Sequence, residues 1–382
     1  LAKKVIITGP AYPYRGGIAS FNERLAYEFQ AIGWTVSMIT YTLQYPDIIF
    51  PGKNQYSPDP APTELDIHRM YSSINPISWR KTRKWIINEK PDLITSRLWI
   101  PVLGMSSGYI MRSSRKLSSC QSVSIVDNLT PHQHMVGDTQ MVDYYMNSSD
   151  HYVAMSQSVL DDISDRYPSE RATLIPHPIY DHYGAIVSRE EAIGSLGLDQ
   201  DTRYMLFFGY IKDYKGLDLL LESVPKDYCI QQNIKLIIAG EFYGKKDKYL
   251  KIISDREIGD LVIINDKFIS NEQIKNYFSV SDIIVQTYHS ATQSGISQLA
   301  LYYEKPIIVT DVGGLSETII EGETGYIVLK DKAIIAESIK SFFSSTDQDK
   351  MRDNIKLQKK NYSWSNYVKQ LLAFSMETKT NS

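Results

Sequence analysis

Short runs of β-branched and apolar residues, unbroken by polar alternation, constrain this chain more than any other feature. In the first half they are Val5–Thr8, Val36–Thr40, Leu93–Thr95, Val123–Val126 and Tyr152–Ala154. In the second they are Met205–Phe208, Leu236–Ala239, Val262–Ile264, Ile283–Gln286, Ile307–Thr310 and Tyr326–Val328. A continuous apolar run is a strand covered on both faces, and the stretches between these runs have helical character. The pattern predicts parallel sheets in a doubly wound α/β fold. The runs fall into two sets, and 382 residues are long for one core, so two Rossmann-like domains are expected. Residues 175–203, IPHPIYDHYGAIVSREEAIGSLGLDQDTR, mix Pro and Gly with charge and read as the linker. Residues 44–64 carry five prolines and no period, which reads as a surface loop of the first domain.

Composition excludes several classes of function. A net charge of −3 supplies no basic field for nucleic acid. No apolar run approaches the roughly 18 residues that span a bilayer. The first residues, LAKKVIITGP, are too briefly apolar for a signal peptide and read as the first strand. The two cysteines, Cys120 and Cys229, lie far apart without metal-type spacing. A reducing, cytoplasmic compartment is expected, and a disulfide framework is not.

Chemistry is concentrated in loops that follow strands. Arg15-Gly16-Gly17 comes after the first run, and Ser20-Phe21-Asn22-Glu23 behind it matches a capping box, as does Ser270-Asn271-Glu272-Gln273. Glycines there would let a ligand approach the backbone at a helix N-terminus; a tight turn is the plainer reading. In FFGYIKDYKGLDLLLE (207–222), Gly209 precedes Lys212 and Lys215, which flank a helix start. A lysine ammonium beside a helix N-terminus suits a diphosphate. Thr292, Gln293, Ser294 and Gly295 then separate the strand Ile283–Gln286 from a helix expected near Ser294. A structural cap needs one Ser, whereas a run of small polar residues reads as an anion cradle. The turn Asp311-Val312-Gly313-Gly314-Leu315-Ser316-Glu317 follows the next strand, with Glu317 expected at a helix start, where it serves the helix dipole, catalysis or sugar binding. Three loops at successive strand ends describe a pocket for a nucleotide diphosphate.

Those residues carry a resemblance. Gly209-x-Ile211-x-x-x-Lys215-Gly216, then strand, small polar loop, helix and Lys305-Pro306, then Gly313-Gly314-x-x-Glu317 with GETGYIV resemble the retaining family 4, group 1 glycosyltransferases of GT-B fold. Gly16-Gly17, the segment DNLTPH (127–132) and the late Ser363-Trp364-Ser365 extend the likeness over almost the whole chain. The resemblance implies an acceptor domain over 1–177 completed by a helix over 360–382, and a nucleotide-sugar donor domain over 178–359. It implies Lys215, with Lys212, against the diphosphate leaving group. Gly209, Thr292, Ser294, Gly295, Gly313, Gly314 and Leu315 would line the donor site. Gly16, Gly17, Asp127 and His132 would face a saccharide or glycolipid acceptor. Family members usually carry two glutamates whose places, counted back from Pro306, fall here on Ala291 and Leu299. Gln293 or Glu317 would take over part of the first glutamate's task, or the SATQSG loop (290–295) binds the sugar through neutral groups, or activity is lost; Glu304, which stands where the family has Gly, is not a substitute by spacing.

No Asp-x-Asp stands in a strand-end loop, and Asp161-Asp162 lies in a helical stretch. No metal and no cofactor are expected. His132-Gln133-His134 lacks a third ligand at recognisable spacing, and His177 reads as packed. WRKTRKWIINEK (79–90), with MRSSRK (111–116) after it, interleaves basic residues with Trp79 and Trp85. It fits an anionic membrane surface and equally a solvated helix with Trp85 and Ile86 turned inward. The expected activity is transfer of a sugar to a saccharide or lipid-linked glycan, in assembly of a bacterial surface polysaccharide, by a cytoplasmic enzyme at the inner face of the membrane. A nucleotide-sugar epimerase of the same fold and a non-catalytic nucleotide-sugar or glycan-binding module stay open as alternatives.

Overall fold

The computed structural model describes residues 2–45, 55–57, 60–129, 137–291 and 294–377. Two compact units divide the chain: Leu1–His177 with Trp364–Ser382, and Pro178–Ser363. The chain therefore leaves the first unit after His177 and rejoins it at Trp364.

Among the described residues, the first unit holds β1 (Lys4–Thr8), β2 (Thr35–Leu43), β3 (Ile67–Ser72), β4 (Leu93–Leu98), β5 (Gln121–Val126), β6 (His151–Ala154) and β7 (Ala172–Leu174). They form one sheet in the order β3-β2-β1-β4-β5-β6-β7. The second unit holds β8 (Arg203–Phe208), β9 (Ile234–Ala239), β10 (Val262–Asn265), β11 (Ile283–Gln286), β12 (Ile307–Thr310) and β13 (Gly325–Val328), in the order β10-β9-β8-β11-β12-β13. Every pairing between named strands is parallel. The unbroken apolar runs are these strands, because helices cover both faces. Two strands escape that signal. β3 reads IHRMYS and β7 reads ATL; both lie at sheet edges, where residues such as His68 and Arg69 stay partly exposed.

The order decides where a ligand can lie. Connections from β8 run outward through β9 and β10, and those from β11 run the other way through β12 and β13. A crevice opens outside the carboxyl ends of the strands where winding reverses, here between β8 and β11.

Local starts differ in part from the sequence pattern. The first helix opens at Gly17, with Gly16 as N-cap at φ 110°, so Ser20 lies inside it and the expected capping box does not form. A Cβ at that φ would be strained, so the glycine starts the helix one turn early. Glu23 instead accepts from the Tyr12 amide at 2.6 Å. Ser270 is an N-cap by position, but only its carbonyl is used, accepting from the Gln273 amide at 2.9 Å. Glu317 does not begin a helix. It lies near the end of a 3₁₀ segment, Gly313–Thr318, whose short bonds run Leu315 to Val312 and Ile319 to Ser316.

Trp364 is buried in the first unit against Phe21, with ring centroids 4.8 Å apart, and the Arg24 guanidinium lies 5.3 Å from its ring. His177 packs edge-on against Phe21 as well. No helix among the described residues is long and apolar enough to cross a membrane.

Candidate functional site

The loop after β8 turns at Gly209 (φ 99°) and passes through the 3₁₀ turn Asp213–Lys215 to Gly216 (φ 67°), where the helix Leu217–Ser223 begins. Lys215 is only 8% exposed, and its ammonium lies 2.9 Å from where a Cβ on Gly209 would sit. A side chain at 209 would displace it. Lys212 is partly exposed, and its ammonium lies 5.6 Å from the ring of Tyr243. Burial lowers the pKa of Lys215 from its ordinary value, with Tyr214 opposing. Burial also lowers that of Lys212, and the charge of Lys215 lowers it further. Among the described residues no carboxylate compensates either lysine. Burying an unpaired ammonium costs several kcal/mol, and an anion in the crevice would offset that cost.

The loop after β11 is tied to the first at close range. Gly216 approaches so near that a Cβ there would stand 1.8 Å from the Thr287 carbonyl oxygen. The Thr287 hydroxyl donates to the Gly216 carbonyl at 2.7 Å, and the His289 amide donates to the Tyr214 carbonyl at 2.7 Å. Ser294 caps the helix Gly295–Tyr302, its Oγ accepting from the Ile296 amide at 3.2 Å. The Gln286 side-chain amide donates to the same Oγ at 3.2 Å, while the Ser297 hydroxyl donates to the Gln286 Oε1 at 3.0 Å. The Ile296 Cδ1 lies 3.4 Å from the same would-be Cβ of Gly209. Gly209, Lys215, Ser294 and Ile296 are thus neighbours at the reversal point.

The third loop joins through Thr310, whose hydroxyl donates to the Tyr288 carbonyl at 2.6 Å. Gly313 takes φ 51°, Gly314 and Leu315 are buried, and Ser316 donates to Asp311 at 2.9 Å. Glu317 is exposed. Its charge acts on Tyr362, whose pKa is raised first by burial and in smaller part by Glu317, so Glu317 stands beside the segment Lys359–Tyr362. Thr292 and Gln293 lie outside the described residues.

Sequence reasoning passed over Tyr288 and Tyr180. Tyr288 stands in the loop after β11, between Lys215 and Ser294, both of which it contacts. Tyr180 packs against Gly295, where a Cβ would lie 2.7 Å from its ring, which gives that glycine a packing role. The legible signal for Tyr288 was a lone aromatic residue amid small polar ones.

At the places of the two family glutamates, Ala291 and Leu299 are buried and apolar. Glu304 adopts φ 58° and is paired with Lys359, away from any such duty. Lys305 donates to the Ser279 carbonyl at 3.0 Å, and burial pushes its pKa down to about 8.

In the first unit, Gly16 and Gly17 sit at the N-terminus of the helix after β1, and no atom of the described residues stands within 4 Å of a Cβ built on Gly16. Asp127 follows β5, and both its oxygens accept from Arg97 at 2.6 Å. His132 and His134 lie outside the described residues. Among those described, no three His, Cys, Asp or Glu side chains gather as a metal site requires.

Comparison with known proteins places this geometry in context. The family model described as "Glycosyl transferases group 1" matches residues 188–362. A lipopolysaccharide 1,2-N-acetylglucosaminetransferase of Salmonella typhimurium is 26% identical over 215 residues, which is 53% of this chain and 55% of that protein. A D-inositol 3-phosphate glycosyltransferase of Streptomyces scabiei is 22% identical over 282 residues, 67% of this chain and 61% of that one. The match thus spans a little over half the length of these relatives. Sucrose-phosphate synthase from Thermosynechococcus elongatus superposes over the whole of both chains with a TM-score of 0.75 at 17% identity. Anabaena HepE, solved in complex with UDP-glucose, matches 99% of this chain and 100% of its own, with a TM-score of 0.72 at 13% identity.

Proposed function

Given that this chain carries a group 1 glycosyl transferase domain on the GT-B fold, we propose that it transfers a sugar, with retention, from a nucleotide-diphosphate donor to a saccharide or lipid-linked glycan. The donor lies against the β8, β11 and β12 loops of the second unit, and the acceptor against the first. The observation that carries the reading is Lys215, buried at 8% exposure with its ammonium uncompensated among the described residues.

Cleavage of a sugar–diphosphate bond develops oxocarbenium character on the sugar while negative charge grows on the leaving phosphate. Preorganised positive groups at that oxygen stabilise the transition state more than the ground state. Lys215 and Lys212 supply two such groups, and the N-terminus of the helix Gly295–Tyr302 supplies backbone amides. Gly313 and Gly314 let the third loop approach the diphosphate closely. The reaction proposed needs no divalent ion. With apolar Ala291 and Leu299 in place of carboxylates, the sugar and ribose are assigned to neutral side chains, Ser294 and Gln293 by their chemistry, with Glu317 of the β12 loop as the acid.

The relative named for lipopolysaccharide supports a role in surface polysaccharide assembly, and the site proposed for that role is the cytoplasm, against the inner face of the membrane. The helix Pro76–Glu89 supports the membrane contact. Ile74 and Ile77, at its start, are 61% and 63% exposed, and Arg80, Lys81 and Lys84 lie exposed on the face that follows Ile77. That face carries no carboxylate, since Glu89 is turned to Lys4. Apolar side chains beside cations unpaired among the described residues suit an anionic lipid surface, although Thr82 and Ile86 are buried and Trp85 is half-buried, as a helix packed on the sheet requires.

A thermal-shift panel of UDP-, GDP-, ADP- and CMP-sugars, followed by incubation with the stabilising donor alone, tests the proposal. Slow release of free sugar is the expected result. An altered sugar on the nucleotide would favour an epimerase, and binding without turnover a non-catalytic module.

A further inference from the structure

We infer that Tyr288 is the positioning residue of the donor site, holding Lys215 in place by its ring without neutralising it. The inference rests on the reading of Lys215 as the group that receives the diphosphate.

Tyr288 is 3% exposed and, from within the β11 loop, meets both of the other two. The Lys215 ammonium lies 5.5 Å from its ring centroid. Its hydroxyl lies 3.4 Å from Ser294 Oγ, the oxygen that caps the next helix. Its carbonyl accepts from Thr310 at the end of β12. The residues on either side, Thr287 and His289, bond to Gly216 and Tyr214 of the Lys215 loop. The Tyr214 ring meets it edge-on at 6.1 Å. Burial pushes the Tyr288 phenol up to about 12, with Ser294 opposing, so the ring stays neutral.

The choice of an aromatic partner has a physical consequence. A carboxylate beside Lys215 would neutralise the charge meant for a diphosphate and would repel the ligand. The face of a ring attracts an ammonium through its quadrupole and adds no negative charge. Tyr288 can therefore fix the ammonium and leave its full charge for the ligand. The same side chain also sets the spacing between Lys215 and the helix cap at Ser294, so the two groups proposed to meet the diphosphate share one support.

The test replaces Tyr288 with Phe, then with phenylalanines bearing one, two and three ring fluorines, which weaken the π face at nearly constant shape. Dissociation constants are measured for the nucleoside diphosphate that binds the wild-type protein and for its parent nucleoside. Tyr288→Phe should bind the diphosphate nearly as the wild type does. Affinity for the diphosphate should then fall stepwise with fluorination to about tenfold below Phe, while affinity for the nucleoside holds steady. A Tyr288→Leu variant, if folded by its melting curve, should match the most fluorinated ring. Equal diphosphate affinity across the series overturns the role of Tyr288 and leaves that of Lys215 standing. Absence of nucleoside-diphosphate binding by the wild type overturns both.

Discussion

Arg97 at the end of β4 and Asp127 after β5 are joined by two hydrogen bonds of 2.6 Å, and both residues are buried. The guanidinium also lies 3.9 Å from the ring of Phe21. This bidentate pair fastens two adjacent strand ends to the helix after β1, and so supports the loops proposed for the acceptor. Asp127→Asn would leave a buried guanidinium without its counter-charge, at a cost of roughly 3–5 kcal/mol. Thermal unfolding should show that loss, while hydrolysis of donor alone stays near wild type in the folded fraction. A melting point equal to wild type would show that the pair contributes nothing to stability.

Lys215→Ala removes a buried charge that no carboxylate among the described residues compensates. The unliganded protein should gain roughly 1 kcal/mol, and affinity for nucleoside diphosphates should drop roughly 10- to 100-fold. Nucleoside affinity should change little. Equal loss for both ligands would refute a phosphate role for this lysine.

The same lysine predicts a pH dependence. Its pKa in the free protein is lowered, and a bound anion favours the protonated form, so binding takes up protons as pH rises past the free value. Diphosphate affinity should be full below the lowered free-state value and decline as pH climbs through a range below the ordinary lysine value of about 10.4. Titration calorimetry at rising pH checks this, and flat affinity to about pH 10 would contradict it.

Gly216→Ala places a Cβ 1.8 Å from the Thr287 carbonyl oxygen at φ 67°. The β8 and β11 loops must part, at a cost of roughly 1–3 kcal/mol. Both the melting temperature and diphosphate affinity should fall together. Loss of one without the other would mean that loop contact and ligand site are separable.

Turnover should survive EDTA and gain nothing from added divalent ions, because lysines and helix amides meet the leaving group. Abolition by chelator with recovery on adding a metal would sink the metal-independent scheme.

Flotation with vesicles containing anionic lipid should carry the protein, and vesicles of neutral lipid should not. The triple exchange Arg80→Glu, Lys81→Glu and Lys84→Glu should weaken binding, at about 1 kcal/mol per lost cation. Failure of the wild type to float with anionic vesicles would remove the membrane reading.

The sequence by itself determined the parallel strands, since a strand buried on both faces needs a continuous apolar run. It also placed a helix start near Ser294 and the glycine turns after the strands, because those depend on neighbours along the chain. Only tertiary structure decided the rest. β3 and β7 are edge strands, too polar or too short to announce themselves. Glu317 ended a 3₁₀ turn instead of opening a helix, as its backbone bonds dictated. Reversal of winding set the β8 loop against the β11 loop, and with it Lys215 against Tyr288. Arg97 found Asp127 across neighbouring strands. Pairings such as these depend on strand order, and strand order is settled by how whole layers pack.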